Sequence, residues 1–149
     1  MKTEIFLVLL FFIINSVSVL CYEQVKVTIE PDADGKPRKI FTAEELKEYD
    51  GSKPNKPIYM GVRGVVFDVT KGKDFYGPGA AYSALAGKDA SRAIALWSLE
   101  EKDMHHDLSG LPGDTLKGLD DVFKGTYMSK YPIVGYMDYL KDLQTKQEL

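Results

Sequence analysis

Cysteine and histidine are almost missing from this 149-residue chain: one Cys, Cys21, and two His, the adjacent His105 and His106. That scarcity leaves no His cluster at metal-ligand spacing, no thiol beyond Cys21 and no Ser-His-Asp grouping, so the chain does not read as an enzyme. Positive charge is not in excess either. Lys and Arg number 19 against 22 Asp and Glu, a net charge of −3 with no compensating basic run, which argues against a nucleic-acid partner. No Asn-x-Ser/Thr acceptor has a permitted middle residue, so N-glycosylation is not expected. Long apolar stretches are confined to Ile5 to Ile14, broken at Asn15 and well short of the ~20 residues that a membrane-spanning helix needs.

That short apolar run follows Lys2 and precedes the small and apolar residues Ser16 to Cys21, the layout of a secretory signal peptide over 1–21. Cleavage after Cys21 would send a cysteine-free chain into an oxidising compartment, where a folded core or a ligand must hold it together. Residues 22–39, with Pro31-Asp32-Ala33-Asp34-Gly35, read as a mobile arm. The later ligands and closing Glu of a calcium loop are absent from that stretch.

Regular structure is expected from residue 40. Thr42-Ala43-Glu44-Glu45 is a capping box flanked by Phe41 and Leu46, and it starts a short helix ending at Asp50-Gly51. Ile58 to Val62 and Val65 to Val69 are β-rich runs joined by Arg63-Gly64, a tight hairpin with Val65, Phe67 and Val69 on one face. Short helices are expected over Ala81 to Ala86 and, capped by Asp89, over Ala90 to Trp97. A polar loop carries His105 and His106, whose side chains read as solvated. A longer helix from Asp114 spaces Leu116, Leu119, Val122, Tyr127 and Tyr131 along one face until Pro132; Ile133 to Tyr136 is a closing strand. The order predicts an α+β domain over 40–137, with short helices walling a pocket against a small sheet, and a polar tail over 138–149.

The stretch with the most unusual composition is Asp74-Phe75-Tyr76-Gly77-Pro78-Gly79-Ala80-Ala81-Tyr82. Its Gly-Pro-Gly turn can fold two tyrosines, Tyr76 and Tyr82, toward one space. Periodicity alone leaves open whether they are core residues or pocket residues. Nine tyrosines in all hint at a pocket whose walls are both apolar and hydrogen-bonding.

Val66-Phe67-Asp68-Val69-Thr70-Lys71-Gly72, then Phe75-Tyr76-Gly77-Pro78-Gly79, then Ala86-Gly87-Lys88-Asp89-Ala90-Ser91-Arg92, resemble the membrane-associated progesterone receptor family in order and spacing. The resemblance runs from about Phe41 to about Tyr136. Lys56-Pro57-Ile58-Tyr59 and Lys130-Tyr131-Pro132-Ile133-Val134-Gly135-Tyr136 extend it toward the family's secreted, neurotrophic members. It implies a cytochrome b5-like fold holding ferric haem b. Ordinary cytochrome b5 proteins clamp the iron between two histidines; adjacent His105 and His106 cannot reach opposite faces of a porphyrin. The family motif implies Tyr82 as the axial phenolate on the iron, Tyr76 as its hydrogen-bonding support, and Lys130 with Tyr131 beside the porphyrin, the ammonium meeting a propionate. A hard phenolate donor favours ferric over ferrous iron.

The membrane-bound relatives carry Gly-Pro-Glu-Gly-Pro-Tyr where this chain has Gly77-Pro78-Gly79-Ala80-Ala81-Tyr82, which implies a looser loop and more exchangeable haem. Beyond haem, the resemblance implies as candidate partners a cell-surface receptor, a second copy across the haem, and a steroid. Two destinations stand at this stage: secretion, or retrieval to the endoplasmic reticulum through Lys146-Gln147-Glu148-Leu149, which is one residue from Lys-Asp-Glu-Leu.

Overall fold

The computed structural model describes residues 25–147; the expected signal peptide with Cys21, and Glu148-Leu149 of the terminal tetrapeptide, lie outside them. The fold is built on a four-stranded sheet: β1 (Lys39–Phe41), β2 (Tyr59–Val62), β3 (Val65–Asp68) and β4 (Ile133–Met137), in the order β1-β4-β3-β2. β2 and β3 pair antiparallel with Val62 opposite Val65. Their connection is Arg63-Gly64, both at positive φ (56° and 78°), the geometry of a type I′ hairpin turn. β3 and β4 are antiparallel, with a register break between Val66 and Phe67, and β1 runs parallel to β4.

The period of two in β3 divides the interior. Val65, Phe67 and Val69 enter the main core with Met60, Val62, Leu85, Ile94, Leu119 and Phe123; Val66 faces a second cluster with Phe41, Leu46 and Met137. Helix α1 (Ala43–Lys47) closes that second cluster. Its capping box is complete: Glu45 N–H donates to Thr42 Oγ1 at 3.1 Å, and Thr42 N–H donates to Glu45 Oε2 at 3.0 Å.

The main core is walled by short helices. Single 3₁₀ turns at Thr70–Gly72, Ser83–Leu85 and Glu101–Asp103 alternate with α2 (Lys73–Tyr76) and α3 (Ser91–Leu96). The longest helical stretch is α4 (Gly113–Val122), which passes through a π turn (Phe123–Tyr127) into α5 (Met128–Lys130) and stops before Pro132.

Two expectations are corrected. The stretch expected to be a mobile arm is, over its described part, laid against the molecule. Val25, Val27 and Ile29 pack on the main core while Lys26, Thr28 and Glu30 are exposed, and Val25 N–H donates to the buried Asp120 carboxylate at 3.0 Å. The alternation of apolar and polar residues was in the sequence, but the neighbouring Pro and Asp residues masked it. The expected polar tail is helix α6 (Tyr139–Gln147), which buries Leu140 against the core. Asp32-Ala33-Asp34-Gly35 forms a turn in which Asp32 Oδ1 accepts from the N–H groups of Asp34 and Lys36.

Candidate functional site

The chain leaves β3 at Asp68, whose carboxylate accepts from Thr70 N–H and starts the 3₁₀ turn. The following helix α2 has only four residues and delivers Tyr76 at its C-terminus, 6% exposed. Gly77 N–H closes that helix on Lys73 O at 2.8 Å. The chain then reverses through Pro78 and Gly79 (φ +78°), with Ala80 N–H donating to Gly77 O, and Tyr82 N–H donates back to Phe75 O at 2.8 Å. That last bond brings Tyr82 beside Tyr76, ring centroids 6.2 Å apart.

The two tyrosines are not equivalent. Tyr76 belongs to the core, whereas Tyr82 is 46% exposed and stands at the rim. Of the two, Tyr76 is a core residue and Tyr82 a surface residue.

Tyr127 and Tyr131 complete the cluster. They lie one helical turn apart, Tyr131 N–H donating to Tyr127 O at 3.1 Å. Tyr131 stands edge-on to Tyr76 at 6.2 Å and lies 6.1 Å from Tyr127. Tyr127 is buried, its ring 5.7 Å from Phe67, and its hydroxyl is 3.3 Å from that of Tyr76. Tyr76, which the resemblance implies as the support of Tyr82, thus has its hydroxyl within hydrogen-bond distance of the Tyr127 hydroxyl. Burial raises the pKa of Tyr76 above that of an ordinary phenol, and raises that of Tyr127 further, so both are neutral hydroxyls at pH 7.

Gly72 lets this cluster close. A Cβ there would lie 2.7 Å from the Tyr131 hydroxyl and 3.1 Å from the Tyr76 ring, so only a residue without a side chain lets the two phenols close over the backbone. Lys130 is exposed at the end of α5, next in sequence to Tyr131. Tyr127 is the residue that sequence reasoning left unassigned. Its place four residues before Tyr131 on the inner face was the available signal.

The donor set is compatible with a porphyrin: it offers one half-exposed phenol with neutral phenols beside it, and no imidazole among them. His106 instead stacks on Tyr139 at 3.9 Å, and His105 Nδ1 accepts from Asp107 N–H; neither is in contact with Tyr76, Tyr82, Tyr127 or Tyr131. Among the described residues, no group of three or more His, Cys, Asp and Glu could hold a metal ion.

Residues 42–138 match the family model described as cytochrome b5-like haem/steroid binding domain, and the chain belongs to that family. Its relatives are members of the membrane-associated progesterone receptor group. "Membrane steroid-binding protein 1" of Arabidopsis thaliana is 52% identical over 95 residues, covering 64% of this chain and 43% of that protein. "Probable steroid-binding protein 3" of the same plant is 48% identical, and the match covers 94% of it. A "Neuferricin homolog" of Caenorhabditis briggsae is 37% identical over 106 residues, 71% of this chain and 32% of that protein. The chain thus spans less than half the length of the first of these. A solved Arabidopsis structure described as having a cytochrome b5-like fold superposes with a TM-score of 0.61 at 46% identity, covering 67% of this chain and 91% of that one.

Proposed function

We propose that this protein binds ferric haem b through the Tyr82 phenolate and acts, in the manner of neudesin, as a secreted signalling factor rather than an enzyme. The observation that carries the haem reading is the asymmetry of the tyrosine pair: Tyr82 is half-exposed at the rim, and Tyr76 is buried and bonded to Tyr127 behind it. When bound, the ferric iron supplies a Lewis acid that favours phenolate over phenol at neutral pH. The chain's own part is to hold the Tyr82 ring in place through the Tyr82–Phe75 backbone bond. The buried tyrosines exclude water from behind that ring, and the exposed Lys130, next in sequence to Tyr131, would pair with a carboxylate of the porphyrin.

The absorption spectrum of the mature protein reconstituted with hemin tests this. A high-spin ferric signal that Tyr82→Phe abolishes is expected; no Soret band, or a spectrum unchanged in Tyr82→Phe, overturns it.

A second reading, a haem or steroid carrier of the secretory pathway, is favoured by the plant relatives, which are named as steroid-binding proteins. Secretion of the full chain and of a form lacking Lys146 to Leu149 separates the two. Retention that depends on those four residues supports the carrier, and release of both forms supports the secreted factor.

A further inference from the structure

The tyrosine cluster lies at one end of the sheet. Tyr76 follows the exit of β3 at Asp68, and Tyr131 precedes the entry of β4 at Ile133. The other end of the same strands, at the Arg63-Gly64 turn and the exit of β4, holds a cavity of about 600 Å³. None of Tyr76, Tyr82, Tyr127, Lys130 and Tyr131 lines it. Four to five residues at ~3.3 Å each put roughly 15 Å of strand between the two.

The floor of this cavity is a polar network that is already satisfied. Asp89 accepts from Ser91 Oγ at 2.5 Å and from the Tyr139 hydroxyl at 2.7 Å, and Ser91 Oγ accepts from Arg63 N–H at 2.7 Å. The Arg63 guanidinium is paired with Asp120, which also accepts from Val25 N–H. Arg63 and Asp120 offset each other, and the Asp89 carboxylate is taken up by the Ser91 and Tyr139 hydroxyls, so the network does not demand a charged ligand. The walls are Val25 and Val27 on one side, and Leu108, Leu140 and Leu143 on the others, with the Tyr139 ring stacked on His106. At the rim, Lys26 and Asp107 are of opposite sign, and Thr28 and Gln144 can exchange hydrogen bonds. The volume falls within the ~300–1,000 Å³ of small-molecule sites, and apolar walls with a few polar groups are their usual lining.

We infer that this cavity is a second ligand site, for a neutral, largely apolar molecule of the steroid class with a hydrogen-bonding end, independent of the tyrosine face. The inference rests on the steroid-carrier reading and adds to it that haem and steroid bind at opposite ends of the sheet, both at once.

Equilibrium dialysis of labelled progesterone against the full chain, with and without haem, tests it. One progesterone per chain is expected, with the same affinity in both forms and unaffected by Tyr82→Phe. Val27→Glu and Leu143→Glu place a carboxylate on either wall. Leu143 is 48% exposed, so its replacement leaves the core intact. Each is expected to weaken progesterone binding at least ten-fold while circular dichroism and the Soret band stay as in the wild type. Competition between progesterone and haem, or binding lost in Tyr82→Phe but kept in both wall variants, would place the steroid on the tyrosine face. That result overturns the inference while leaving the carrier reading standing. No progesterone bound by any form overturns both, and an intact Soret band in that case leaves the haem reading untouched.

Discussion

At the scale of single residues, burial separates side chains of the same type. Tyr76 and Tyr127 share a hydrogen bond inside the core, and Tyr82, six residues after Tyr76, stands at the surface. Tyr127→Phe removes that bond and leaves the Tyr76 hydroxyl without this partner. It should cost about 1 kcal/mol, read by urea denaturation, and perturb the haem spectrum less than Tyr82→Phe does. Asp120 carries more. Its carboxylate meets the Arg63 guanidinium at the hairpin turn and the Val25 amide at the N-terminal segment, and both Arg63 and Asp120 are buried. Asp120→Ala takes one charge from a buried pair and should destabilise the fold by roughly 3–5 kcal/mol. A loss below about 1 kcal/mol would show that water reaches Arg63 there.

At the scale of elements, much of the layout was legible in the chain because local chemistry dictates it. The capping box at Thr42–Glu45, the Arg63-Gly64 turn and the stop at Pro132 all form as their residue types demand. Thr42→Ala, which unmakes the box, should cost about 1 kcal/mol and speed amide exchange in α1 without touching the tyrosine cluster. The π turn over Phe123–Tyr127 was not legible. A 3.6-residue period cannot show where one extra residue slips into the helix, and here that slip lies between Asp120 at the cavity and Tyr131 at the cluster. Helix α6 was hidden for another reason. Its sequence is mostly polar, and its apolar contacts, Tyr139 and Leu140, find their partners only across the sheet end.

At the scale of the whole molecule, phenols are withdrawn from water at both ends of the sheet, and this sets a pH limit. Burial raises the pKa of Tyr76, Tyr127 and Tyr139, the last with the Asp89 carboxylate adding to the effect. A phenol that holds its proton more tightly folded than unfolded stabilises the fold fully below the unfolded pKa of ~10 and loses that contribution as pH rises beyond it. Stability of the haem-free protein should therefore fall steeply above about pH 10, and Tyr127→Phe should make the fall shallower. A flat profile between pH 9 and 11 would show that these rings open to solvent without unfolding.

By itself the sequence determined the capping box, the hairpin turn, the stop at Pro132 and the two faces of β3, because caps, turns and strand periodicity act over a few neighbouring residues. Only the tertiary structure decided which tyrosine is core and which is rim, and that Tyr76 bonds to Tyr127, 51 residues away. It likewise decided that residues 25–28 and α6 line a cavity at the far end of the sheet. Those outcomes depend on which distant surfaces exclude water from one another, and burial of that kind has no period along the chain.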